Sequence, residues 1–457
     1  MEYSEGLLNS ADLKGREVKK KSLDVANSPL NQLSDFLKTL KEAVNGDLEA
    51  QFNVAVCYDF GQAVEINQVE AAKWYLKAAE GGHLKAQVNL ALSYLRGDGV
   101  SPDASLSFAW FLKAAEGGNH KAKFYVGLLL NKGWGVPEDK VEAFKWFLQA
   151  AEEGVDEAQY NLALCYDLGE GTPGDVAEAI NWYLRSAAQG NAKSQFRLAL
   201  AYRDGEGVEP DPVKSREYFL LAANNGHAKA QYNLGVIYYE GYGAPVDKAR
   251  AADWFLMAAE SDVVEAFYRL AIMRKEGEGV EKDPEMAMWW FRQAAERGHP
   301  KAQFNLSLAY DLGLGGVKVD RAEAIKWCQL AALGGDSRAQ FNMGLACDYG
   351  DGVEINKPEA ARWYSLAANQ GVVVAQYNLG VCYSLGEGVA VDKAEALKWF
   401  RLAAERGHAG AQFSLAMAYK IGDGTVRDLN EARKWLELAA EKGDREAQKL
   451  LDKFNDN

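Results

Sequence analysis

Five histidines, five cysteines and an excess of carboxylates are the residues of this 457-residue chain best suited to chemistry. His83, His227, His299 and His408 share one column just after a glycine, and His120 lies one residue further on. In a chain that repeats every 36 residues, no two of these four occupy adjacent repeats, so they do not converge on a metal. Asn119, Asn191, Asp336 and Asp444 fill the same column, which points to helix entry instead. Cys57, Cys165 and Cys382 recur at one position otherwise held by small or aliphatic residues and read as packing groups. Cys57 and Cys165 lie three repeats apart, too far for Cα atoms that a disulfide needs within ~7 Å. The pairs Cys328–Cys347 and Cys347–Cys382 sit in neighbouring helices and stay open. The carboxylates recur as Asp or Asn followed three residues later by Glu, as in Asn67/Glu70, Asp175/Glu178 and Asp392/Glu395, which is the capping box of a helix start. No nucleophile–base pair, phosphate loop or zinc spacing is present, and no catalytic residue, metal or cofactor is expected.

The elements that position these residues are set by the repeat. Gln51, Gln87, Gln159, Gln195 and Gln231 stand 36 or 72 residues apart, and a Trp column runs in phase from Trp74 to Trp435. One extra residue falls in the turn Gly313-Leu314-Gly315-Gly316, where insertion is tolerated. Each unit predicts two helices. The first carries a small-residue and aromatic stripe (Ala50, Val54, Ala55, Tyr58) and stops at a glycine able to adopt the left-handed cap. The second opens on the capping box and carries the Trp. No proline falls inside a predicted helix. The reading is an all-α protein, a right-handed α–α superhelix of eleven two-helix repeats over residues 47–443. Capping helices are expected at 29–46 and 444–457, and a disordered polar tail at 1–28. Lys19-Lys20-Lys21 reads as part of that solvated tail. The net charge of −14 argues against nucleic-acid and anionic-membrane binding. The absence of a long apolar run argues against membrane insertion, and an odd cysteine count suits a reducing cytoplasm.

One polar column asks for an explanation beyond packing. It reads Asn53, Asn89, Tyr125, Asn161, Arg197, Asn233, Arg269, Asn305, Asn342, Asn378 and Ser414, and Asn is a mediocre helix former. Two readings stand: the amides pair with the backbone of an extended peptide, or they bond a neighbouring repeat and fix its rotation. Arg197 and Arg269 put positive charge into an acidic chain, and guanidinium forks suit carboxylate or phosphate. The Trp column reads as the core of the seam between repeats. Trp134, inside a Gly-x-Gly turn, and Trp289, in an otherwise mostly polar column, depart from it as candidate surface anchors for a partner.

The unit resembles the Sel1-like repeat, a relative of the tetratricopeptide repeat. The match is carried by Ala230-Gln231-Tyr232-Asn233-Leu234-Gly235-Val236-Ile237-Tyr238 with Gly241-Tyr242-Gly243, Asp247, Trp254 and Ala258-Ala259, and it extends over roughly residues 29–454. The resemblance implies an adaptor whose first helices line a concave groove. On that basis the chain is expected to be a monomeric, non-catalytic scaffold. An extended, acidic or phosphorylated peptide would lie in the groove across Tyr125, Asn161, Arg197, Asn233, Arg269 and Asn305. Two alternatives are a small-molecule-binding or weakly hydrolytic protein, as in the cysteine-rich branch of the family, and a helical-repeat RNA binder. The unpaired cysteines speak against the first. The net charge and the near-constant Asn column speak against the second.

Overall fold

A computed structural model describes residues 29–455; the expected tail at 1–28 and Lys19–Lys21 lie outside the described residues. Among the described residues there are 24 α-helices and no strand. The first helices of repeats 1 to 11 are Leu48–Phe60, Leu84–Arg96, His120–Lys132, Asp156–Leu168, Ala192–Asp204, Ala228–Glu240, Val264–Glu276, Pro300–Leu312, Ser337–Tyr349, Val373–Leu385 and Ala409–Ile421. Each is followed by a second helix of equal length, such as Gln68–Glu80 in repeat 1. Pro29–Val44 packs on the first helix of repeat 1, and Arg445–Asn455 packs on the last second helix, Leu429–Glu441. The chain divides into two compact units, residues 1–230 and 231–457, with the division in the first turn of Ala228–Glu240.

Within each unit the core sits between the two helices of a repeat. The second helix places a large ring directly after the Trp column: Tyr75, Phe111, Phe147, Phe255 and Tyr364 are fully buried. Trp110, Trp146, Trp254 and Trp327 are only half-buried. Trp74, Trp182, Trp363 and Trp435 are buried, so the Trp column belongs to the core in part of the repeats, and the residue after it is the more constant core group. The small residues of the first helix make room for that ring. A Cβ added at Gly235 or Gly344 would lie 2.5 Å from the Phe255 or Tyr364 ring, and at Gly127 2.8 Å from Phe147. Overpacking of this kind destabilises a dense interior.

The sequence markers are joints between helices. Marker glutamines donate Nε2 to a carbonyl near the end of the preceding helix, as from Gln51 to Ala43, Gln195 to Ala187 and Gln376 to Ala368, at 3.1–3.2 Å. A helix C-terminus leaves such carbonyls without a partner of its own. The column histidines are helix N-caps. The Nδ1 atoms of His83, His227, His299 and His408 accept the backbone N–H three residues on, at 3.1–3.2 Å. Their rings stack on Phe52, Phe196, Tyr268 and Tyr377 at 4.2–4.7 Å. Asn119 and Asn191 cap in the same way. All five cysteines are free thiols. Burial pushes Cys165 up to about 12 and Cys328 and Cys382 up to about 11, so these three stay protonated. One glycine of the repeat is dispensable: Asp262 takes the turn at φ 60° that glycine fills in the other repeats.

Candidate binding face

In repeats 2 to 4 the polar column turns inward, whereas Asn53 of repeat 1 is exposed. Asn89 is fully buried. Tyr125 is 1% exposed and stacks on Phe111 at 4.6 Å, and Asn161 donates to the carbonyl of Glu157 four residues back at 2.7 Å. The expectation that Tyr125 and Asn161 face a peptide is corrected: both side chains are enclosed by protein. Arg197 forms an ion pair with Asp167 of the preceding repeat and lies over the Tyr183 ring. Tyr183 in turn donates to the same Asp167 carboxylate at 3.1 Å. Burial opposes the charge on Arg197, but Tyr183 and Asp167 outweigh it and raise its pKa. Arg197 is therefore engaged as a clamp between repeats 4 and 5. The Tyr–Asp half of this arrangement recurs as Tyr75–Asp59 and Tyr364–Asp348, each at 3.1 Å, and Asn378 bonds Tyr364 from the next repeat. The alternative reading of the column, a bond to a neighbouring repeat, describes these positions.

In residues 231–457 the same column is half-buried from Asn233 to Ser414. Asn305 donates to the Lys301 carbonyl at 2.7 Å. Burial works to lower the pKa of Arg269, and its hydrogen bond to Tyr232 with the nearby Glu240 carboxylate reverses this, so the guanidinium stays charged. Three residues along each first helix, Leu308, Leu345, Val381 and Met417 are also half-buried, whereas Leu92 and Leu128 at the matching positions of repeats 2 and 3 are sealed. Two cavities open between successive first helices. One of about 390 Å³ lies between repeats 8 and 9, lined by Leu308, Asn342, Leu345 and Tyr349. One of about 290 Å³ lies between repeats 10 and 11, lined by Val381, Leu385, Ser414, Met417 and Ile421. The sequence analysis missed this aliphatic row, because one apolar residue per helix looks like any core position. Trp134 is 37% exposed. Trp289 is 49% exposed and meets Trp290 edge-on at 4.6 Å.

Charged pairs tie the repeats together beside these cavities. The first residue of a second helix meets the residue after the capping glycine of the next repeat in Lys248–Glu278, Arg321–Asp351, Lys357–Glu387 and Lys393–Asp423, at 2.5–3.0 Å. Among the described residues no group of His, Cys, Asp or Glu is arranged to hold a metal ion, and no helix is long and apolar enough to cross a membrane.

The Sel1 repeat family model matches eleven consecutive segments from 48–83 to 409–444. The chain belongs to the Sel1-repeat family. Among solved structures it is similar to c5321, described as a protective antigen of uropathogenic Escherichia coli strains with an SLR fold. The two are 33% identical over 92% of this chain and 90% of that one, with a TM-score of 0.74. It is also similar to a Sel1 repeat protein from Oxalobacter formigenes, at 28% identity, 73% and 99% coverage and a TM-score of 0.54. A search of curated proteins finds no match. The fold is thus an all-α solenoid of eleven Sel1 repeats, a type of scaffold that in general serves protein interaction.

Proposed function

We propose that this Sel1-repeat chain is a non-catalytic scaffold that binds an extended segment of a partner protein along the first helices of residues 231–457. The observation that carries this is the half-open row Leu308, Leu345, Val381 and Met417 with its two cavities. Aliphatic side chains of a partner fill such cavities, and the neighbouring amides of Asn305 and Asn342 are placed to fix its backbone. Arg269 supplies positive charge at the repeat-7 end and favours an acidic residue there. Arg197, held by Asp167, is left out of the recognition set.

A random peptide-display library selected on the whole chain tests this reading. Peptides that survive should lose at least tenfold in affinity with Leu345→Asp or Val381→Asp. Peptides with an acidic end should lose less than that with Arg269→Ala. Selection of no peptide sensitive to positions 345 and 381 would remove the basis for the reading.

A further inference from the structure

At the far end of each first helix, the residue before the capping glycine changes character along the chain. It is Arg96, Lys132, Asp204, Glu240 and Glu276 in repeats 2, 3 and 5 to 7, and apolar in isolation at Phe60 and Leu168 in repeats 1 and 4. It is Leu312, Tyr349, Leu385 and Ile421 in the consecutive repeats 8 to 11. The loop that follows adds a second row, Val319, Ile355 and Val391, in one column of repeats 8 to 10. Ile66 and Val246 fill that column in repeats 1 and 6; repeat 11 has Arg427 there, with Val426 one residue earlier. The two rows share one edge. Ile355 and Val391 pack over the capping glycines Gly350 and Gly386 so closely that a Cβ there would lie 2.8 Å and 2.7 Å from them. All eight residues are between 59% and 84% exposed. An apolar surface of this extent on a water-soluble chain marks an interaction site.

We propose that this edge of repeats 8 to 11 is the contact by which two copies of the chain associate, antiparallel and about a two-fold axis between repeats 9 and 10. Three features select a second copy. The first is interval. Any occupant must present apolar groups once per repeat, and the same edge of another copy does so by construction, setting Tyr349 against Leu385 of the second copy and Leu312 against its Ile421. The second is size. The exposed parts of the eight residues amount to about five whole side chains, on the order of 800 Å² per copy, which is what a standard specific interface buries. The third is charge. Asp311 and Asp348, just before the edge row, are each held by a cation of their own repeat, Arg321 and Lys357, so a two-fold contact along this edge brings no unpaired carboxylates together. This inference goes beyond the peptide reading and does not rest on it.

Sedimentation equilibrium of the full chain across the micromolar range is the test. The expected result is a concentration-dependent mass rising from 50.2 kDa to twice that value. The double variant Tyr349→Glu/Leu385→Glu should hold the mass at that of one chain while its circular-dichroism melt stays unchanged. The variant Arg96→Glu/Lys132→Glu should associate like the parent. For the geometry, mixing Tyr349→Cys chains with Leu385→Cys chains under mild oxidation should give a crosslinked pair faster than either alone. A chain that stays monomeric throughout, as it would if the edge served a different partner, overturns the proposal, as does a dimer that survives the glutamate pair. Tyr349 and Leu385 also line the two cavities, whereas Ile355 and Val391 line neither. Ile355→Glu/Val391→Glu should therefore abolish the dimer and leave peptide binding at positions 345 and 381 intact, which separates the two readings.

Discussion

Repeats 2 to 5 and repeats 8 to 11 are built on one repeat and present different surfaces. In the first group the polar column is closed over: Asn89 and Tyr125 are sealed, and Arg197 is spent on Asp167. The turn edge there is charged except at Leu168. In the second group the column is half-open, cavities separate the first helices, and the edge carries Leu312, Tyr349, Leu385 and Ile421. The difference teaches that one column does not have one role. The repeat fixes where a side chain starts, and the packing of successive helices decides whether it reaches solvent: Leu92 and Leu128 are sealed where Leu308 and Leu345 are half-buried. Second helices show the same contrast. In repeats 1, 2 and 4 the cation three residues on lies over the Trp ring (Lys77 on Trp74 at 4.0 Å, Lys113 on Trp110 at 4.9 Å, Arg185 on Trp182 at 4.3 Å). In repeats 8 to 10 that position is Leu330, Leu366 and Leu402, and Lys326 and Arg362 approach Trp327 and Trp363 from the residue before, at 5.9 Å and 5.6 Å.

If the closed half is structural, breaking its clamp should be the most damaging single change. Arg197→Ala leaves the Asp167 carboxylate largely buried without its cation and should lower stability by about 3 kcal/mol in urea melts. Asn378→Ala, at the matching place in the open half, should cost about 1 kcal/mol or less.

The histidine caps give a pH dependence that cuts across both halves. Burial, with Lys229 and Lys193 nearby, lowers the His227 pKa to about 4, and burial also lowers His299 and His408. The folded forms are therefore neutral where the unfolded chain, with a value near 6.5, takes up protons. Stability is fully present above pH 6.5 and falls as the pH drops toward 4, by about 2 kcal/mol at pH 5 for His227 alone. Chemical denaturation at pH 7.5 and 5 measures the difference. His227→Asn should keep the cap, as Asn119 and Asn191 do, and remove its share of the pH dependence.

Smaller effects sharpen the packing side of the comparison. Gly344→Ala should cost about 1–2 kcal/mol by driving a methyl into Tyr364, and Gly127→Ala about the same against Phe147, because this joint is common to both halves. Lys77→Ala, which uncovers Trp74, should cost about 0.5 kcal/mol. Thermal melts resolve the first two from the third.

The helices, their caps and the eleven-fold repeat were legible because each is written in local chemistry: the Asn67/Glu70 box, the Gly after Tyr58, the Gln every 36 residues. The histidines were legible for the same reason, since Asn119 and Asp336 in their column name the capping role. The Trp column was legible as core and is buried at Trp74, Trp182, Trp363 and Trp435, but the more constant core ring beside it, such as Tyr364 against Gly344, was not, because Trp is the more conspicuous aromatic. The binding face was the least legible. Tyr125, Asn161 and Asn305 share a column, but burial in the first two depends on the packing of successive helices. The change from Lys132 to Tyr349 before the capping glycine was readable in the sequence; its exposure was not.

The division of labour between the two halves is tested most directly by a photo-crosslinking residue placed in turn at positions 96, 132, 345 and 381 of the whole chain, with a library-selected peptide as the probe. Crosslinks at 345 and 381 with none at 96 and 132 are predicted. Crosslinks at 96 and 132, or equal labelling at all four, would contradict the assignment of binding to the open repeats.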